Sequence, residues 1–106
     1  MALKAGFIFL SPEADPKVDR STIKTESINI VTIGVADYKM ACEVAKELLD
    51  QDIKAIELCG GFGNEGVSLV TKAIKGKVPI GVVRFDIHPG LENRSGDIVF
   101  NKEAIK

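Results

Sequence analysis

The run Glu57-Leu58-Cys59-Gly60-Gly61-Phe62-Gly63-Asn64-Glu65-Gly66 concentrates the residues that could do chemistry. Apolar, strand-like sequence precedes it and helix-like sequence follows. A glycine-rich turn between a strand and a helix makes a cradle for an anion. Free N–H groups at a helix start converge on one spot, and glycine lets a ligand come close. Cys59, Gly60, Gly61, Gly63, Asn64 and Glu65 are the expected contacts for a phosphate or carboxylate. The spacing matches neither the dinucleotide fingerprint nor a Walker loop, whose Lys-Ser/Thr pair is missing. A tight turn that needs glycine for geometry alone would read the same way.

Two charged residues stand where strands want apolar ones: Glu57 within Ile53-Cys59, and Arg84 within Ile80-Phe85. Buried charges need partners, so neighbouring strands would pair Glu57 with Arg84. That pair is either a structural salt bridge or part of a site in which Arg84 also grips the anion in bidentate fashion. Asp86 and His88 are two apart and face the same way in extended backbone. Asp86 would orient the imidazole, and His88 would be the acid or base of a proton transfer. A metal held by these two with Glu57 or Cys59 is a lesser alternative, because the chain has a single histidine. A histidine hydrogen-bonded within its own loop is a plainer one. No metal or cofactor is assigned. Cys59 could be activated by the following helix, but an unpaired cysteine is more often packing, and Cys42 is read as packing too.

The elements that must position these groups alternate. Lys4–Leu10 reads as a strand, apolar without alternation, as in a strand covered on both faces. Asp15-Pro16 is a helix start, with a short helix expected over 16–24. Ile28–Val35 is a second strand. Asp37 caps a helix to Gln51, with Met40, Val44 and Leu48 at four-residue steps. Ile53–Cys59 is a third strand. Asn64 is expected to cap a second helix to Lys75, ended by Gly76. Val78–Phe85 is a fourth strand, and Ile98-Val99-Phe100 adds an edge strand or reaches another subunit. The order strand, crossover, strand, helix, strand, helix, strand predicts one α/β domain over residues 1–106. Its sheet would be mostly parallel and four-stranded, with helices packed on it and an extended C-terminal segment. A half-barrel completed by a second copy gives the same order.

Ligands of open α/β sheets bind beyond the carboxyl ends of the strands, where Ser11, Asp37, Cys59, Asp86 and His88 would gather. The chain has 106 residues, 45% hydrophobic and 27% charged, with a formal net charge of -1. That is the balance of a folded domain small enough for oligomerisation to supplement its core. No basic block or tryptophan suggests nucleic acid. No apolar stretch approaches the ~20 residues of a membrane span, and Ala5–Leu10 is too short for a signal core. The cysteines make no disulfide framework. A cytoplasmic homo-oligomer that binds an anionic small molecule is the expectation, with lyase- or isomerase-type chemistry or a non-enzymatic sensor or structural module as its two forms.

Three segments, Phe7-Ile8-Phe9-Leu10-Ser11-Pro12-Glu13-Ala14-Asp15, Ala55-Ile56-Glu57-Leu58-Cys59-Gly60-Gly61-Phe62-Gly63 and Val82-Val83-Arg84-Phe85-Asp86-Ile87-His88-Pro89-Gly90, resemble a family of small single-domain prokaryotic proteins of unknown function. The resemblance spans nearly the whole chain, and the family takes His as well as Asn at position 64. It implies a compact one-domain protein and carries no activity, substrate or catalytic residue.

Overall fold

The computed structural model describes residues 2–101. Strands β1 (Leu3–Leu10), β2 (Arg20–Lys24), β3 (Ile28–Val35), β4 (Ala55–Leu58) and β5 (Ile80–Val82) form one sheet. Helices α1 (Tyr38–Asp50), α2 (Asn64–Ala73) and the single-turn α3 (Gly96–Val99) complete the fold, with a 3-10 turn at Pro89–Leu91. The strand order is β2-β3-β1-β4-β5. β3, β1, β4 and β5 run parallel, and β2 is antiparallel to β3. The sheet is therefore five-stranded and mixed, one strand more than expected.

That extra strand lies where a helix was expected over 16–24. Asp15-Pro16 does start a turn: Asp15 O accepts from Val18 N and Asp19 N, and its carboxylate accepts from Lys17 N. The turn stops after one cycle. Arg20–Lys24 then pairs residue for residue with Ile33–Asn29, because a complementary β-branched strand is one tight turn away. Thr25 closes that turn, its Oγ1 accepting from Ile28 N. Arg20 bridges from this edge strand to Glu47 of α1 through two hydrogen bonds of 2.9 and 3.2 Å. The bond from Arg20 holds the Glu47 carboxyl below its ordinary range.

α1 forms as expected. Asp37 caps it, accepting from Met40 N, and Tyr38, Ala41, Val44, Ala45 and Leu48 face inward. α2 is capped differently. Gly63 holds the N-cap position and Asn64 is the first helical residue, exposed. The helix ends at Ala73, followed by left-handed Lys75 and Gly76. β5 is also much shorter than Val78–Phe85, and β4 shorter than Ile53–Cys59. Ile98-Val99-Phe100 is no strand: the first two residues lie in α3 and Phe100 is buried just beyond it.

Both helical crossovers move the same way across the sheet, which puts α1 and α2 on one face. Ile8, Ile33, Val35, Ile56 and Leu58 of that face build the core with Leu48, Val44 and Val70. Leu48 lies so close over Gly6 that a Cβ there would fall 2.7 Å from its Cδ1. The opposite face has no helix among the described residues, so β1 is covered on one side only. Its rows follow from the registers: Leu3 beside Ile28, then Ile23, Ile30, Ala5 and Ala55, then Ser21, Thr32, Phe7, Glu57 and Gly81. At its far end Ala14 and the Phe9 ring cover Gly34. Among the described residues no helix is long and apolar enough to cross a membrane.

Leu48 is fully buried at the centre of the helical layer. Leu48→Ala is expected to cost about 3 kcal/mol, read as a lower urea midpoint at unchanged m-value.

Candidate functional site

The glycine turn sits at the carboxyl end of β4, as its sequence implied, and its surroundings decide what the amides do. Asp97, on α3, projects its carboxylate onto the first turn of α2. Its Oδ2 accepts from Glu65 N and its Oδ1 from Gly66 N, both at 3.1 Å. Tyr38 Oη donates to Asp97 Oδ1 at 2.7 Å and accepts from Gly63 N at 3.0 Å. The chain's own carboxylate and phenol thus take the Gly63, Glu65 and Gly66 donors that an external anion would need. Gly63 is required here by space. A Cβ would fall 2.5 Å from all three atoms of the Asp97 carboxylate.

The packing around this contact is aromatic. Tyr38 stacks on Phe62 with ring centroids 5.5 Å apart and planes 11° from parallel, and Phe100 lies against it at 6.4 Å. Asn101 Nδ2 donates to Glu65 Oε2. Gly96 lies against the Gly61 carbonyl so closely that no side chain fits between. Burial, ahead of the Asp97 hydrogen bond, pushes the Tyr38 phenol well above its ordinary value of 10.0.

The connections from β1 and β4 leave in opposite directions, which opens a crevice between their carboxyl ends. Cys59 fills it. Its Sγ accepts from Leu10 N at 3.4 Å and Gly61 N at 3.3 Å. The thiol therefore lies on the amides of Leu10, at the end of β1, and Gly61, in the turn, and not at the start of α2. Gly60 is roofed by a separate pair: a Cβ there would fall 2.2 Å from Phe85 Cδ1 and 3.3 Å from His88 Cδ2. Phe85 and His88 lean on one another at 4.5 Å.

Two expected pairings are not made. β4 and β5 are neighbours, but the register sets Glu57 beside Gly81 and leaves Arg84 past the end of β5. Glu57 is exposed on the uncovered sheet face, so no buried carboxylate needs a partner. Asp86 accepts from Arg84 Nε at 2.8 Å, and His88 takes its orientation from Gly90 N, which donates to Nδ1 at 2.9 Å. His88 also closes its loop through backbone bonds with Arg94, Leu91 and Asn93. Among the described residues no three His, Cys, Asp or Glu side chains converge as metal ligands.

What remains open is a cavity of about 320 Å³ beside the start of α2. Phe62, Val67, Val82 and Phe85 give it apolar walls, and Asn64, Arg84, Asp86, Ser95 and Asp97 its polar ones. Arg84 is its only cation, held at Nε and with no protein partner for its two Nη groups among the described residues. Sequence reasoning named Asn64, Arg84 and Asp86 but missed Asp97 and Tyr38. The available signal was Ser95-Gly96-Asp97 ahead of an apolar trio, a turn whose Ser95 Oγ accepts from Asp97 N. A wider cleft, about 740 Å³, lies at the opposite sheet edge between the helix C-termini, where lysines and aspartates alternate. None of the rim groups reaches it.

The chain matches the model of a family of unknown function, DUF6506, over residues 3–98, and belongs to that family. No curated protein and no solved structure matches it.

Tyr38 is the one tyrosine and tryptophan is absent, so near-ultraviolet absorbance reads this phenol alone. The folded state favours the protonated phenol. The stability this contributes is complete below pH 10 and is lost as pH rises from there towards the folded value, because the unfolded chain ionises first. Native protein is expected to titrate well above pH 10, unfolded protein near 10, and Asp97→Ala between them. An Asp97→Ala titration no lower than the native one would contradict the Tyr38–Asp97 contact.

Proposed function

We propose that this protein binds a small anionic metabolite, carrying a phosphate or carboxylate, in the cavity beside the start of α2. Arg84 is the group that would take the anion. The observation that carries the reading is the state of that guanidinium. Its Nε is fixed by Asp86, which leaves the planar Nη pair presented for bidentate capture at a cavity edge. The volume is at the small end for ligand pockets and suits a compact metabolite. Phe62, Val67 and Phe85 would cover the ligand's apolar part, and Ser95 and Asn64 offer neutral hydrogen bonds at the mouth. On this reading the glycine turn shapes the wall, while its amides serve the fold.

A non-enzymatic sensor or carrier accounts for these features without further groups. The second reading, a lyase- or isomerase-type proton transfer, draws on His88. With Nδ1 accepting from Gly90 N, the imidazole presents Nε2–H as a donor to a substrate oxygen. His88 is not among the cavity's lining residues, which favours binding over turnover.

Calorimetric titration with inorganic phosphate and with short dicarboxylates is expected to show saturable binding. Arg84→Ala should weaken it roughly 10- to 100-fold at unchanged melting temperature. His88→Ala should leave it intact. Absence of saturable binding, or equal binding by Arg84→Ala, would remove the reading. A loss confined to His88→Ala would support the proton-transfer alternative.

A further inference from the structure

The sheet presents one face to α1 and α2 and leaves the other bare. Parallel sheets are found almost entirely with both faces covered, since their strands carry apolar residues on both sides. β1 is written that way, with Phe7 and Phe9 on the bare side and Ile8 and Leu10 on the helical side. The bare face is apolar where it is most open. Leu3 is 46%, Ile28 44% and Ile23 62% exposed, and Ile30 and Phe7 lie half-buried between them. Arg20 and Lys24 of the edge strand alternate with Ser21 and Ile23, so they fall on the helical side.

Chemistry narrows what could cover such a face. Glu57 is the one charged residue in its rows and no cation lies among them, so an anionic membrane surface or a nucleic acid finds nothing to hold. The match is another apolar sheet with a similar lone acid. We propose that the face is the interface of an isologous dimer, in which two copies of this chain pack sheet on sheet.

The size fits. Four strands about 4.8 Å apart and three rows about 6.7 Å apart span on the order of 400 Å² in plan. Side-chain relief brings the accessible area towards the ~600 Å² per partner at which specific interfaces begin. That is also as large a patch as monomers usually leave exposed. A two-fold axis between β3 and β1 sets Ile28, Ile30, Leu3 and Phe7 at the centre, with Ile23 one strand out on β2. It moves Glu57 of each copy to opposite flanks, where a polar rim belongs. The arrangement is a two-sheet sandwich with sheets about 10 Å apart and helices outside. Face-to-face packing is preferred over edge pairing because Arg20 and Lys24 guard the edge strand with charge. The proposal does not depend on ligand binding. The Arg84 cavity is walled by helical-side residues such as Val67 and Val82 and stays open in the dimer.

Light scattering after gel filtration tests it. Wild-type protein at about 100 μM is expected at twice the 11.4 kDa of the chain. Ile23→Asp should run as a monomer, with the dimer dissociation constant raised roughly 100-fold or more, because each dimer then buries two unpaired carboxylates. Ile98→Asp on α3, away from the face, should stay dimeric. Ile23→Thr keeps a β-branched strand residue and should weaken the dimer less, which covers the case in which the aspartate variant does not fold. A monomeric wild type overturns the proposal. So does a dimer that Ile23→Asp and Ile23→Thr leave as stable as before, which would place the interface elsewhere.

Discussion

The carboxylate of Asp97 on the first turn of α2 is the contact on which the carboxyl-end rim depends. It joins the end of the described chain to its middle, across a sequence separation of 32 residues. Two amide bonds to a charged acceptor, a favourable helix dipole and the Tyr38 hydroxyl act at one partly buried point. Such a group is worth on the order of 2 kcal/mol. α3 is a single turn with too few hydrogen bonds to persist alone, so its position rests on this anchor and on Phe100 against Tyr38. The requirement for glycine at 63 follows from the same contact. So does the close seat of Gly96 on the Gly61 carbonyl.

This self-satisfaction extends along the rim. The amides of Glu65 and Gly66 go to Asp97, that of Gly63 to Tyr38, and those of Leu10 and Gly61 to Cys59. A glycine-rich strand-to-helix turn is therefore no sufficient sign of an anion site. Its donors have to be free, and here Tyr38 and Asp97, from elsewhere in the chain, take those of Gly63, Glu65 and Gly66. The unspent polar capacity lies one strand further out, in the Nη groups of Arg84. The pairing with Asp86 engages Nε and leaves the Nη donors without a protein partner among the described residues.

How much of this was legible follows from the range of each signal. α1 was read correctly because its information is local: Asp37 before the first turn, then apolar residues at four-residue steps. That the sheet is mostly parallel was legible from the alternation of strands with helices, whereas the order of its strands was not. β2 was not, because Arg-Ser-Thr-Ile-Lys carries only two strongly β-forming residues and follows a genuine helix-start dipeptide. What makes it a strand is β3, a partner five residues ahead that tertiary pairing selects. The Glu57–Arg84 pair was plausible from strand adjacency and failed on register, which a single sequence does not encode at a three-residue strand. Asn64 looked like a cap because its side chain suits one. Gly63 took the place because Asp97 needed the room, a demand that comes from a segment far along the chain.

Glu57 and β1 show the same lesson from the other side. A carboxylate within an apolar strand signals a buried ion pair only if both sheet faces are covered. Here the exposure of Glu57 reports that one face of the sheet is bare, while the unbroken apolar run of β1 reports a strand suited to cover on both sides. The two signals agree if the face is apolar at its centre, near β3 and β1, and polar towards β4. That gradient separates the roles of the two ends of the molecule. The centre of the bare face supplies apolar area, the rim beyond β5 supplies a free guanidinium, and the Asp97 anchor keeps the rim's shape independent of what meets the face.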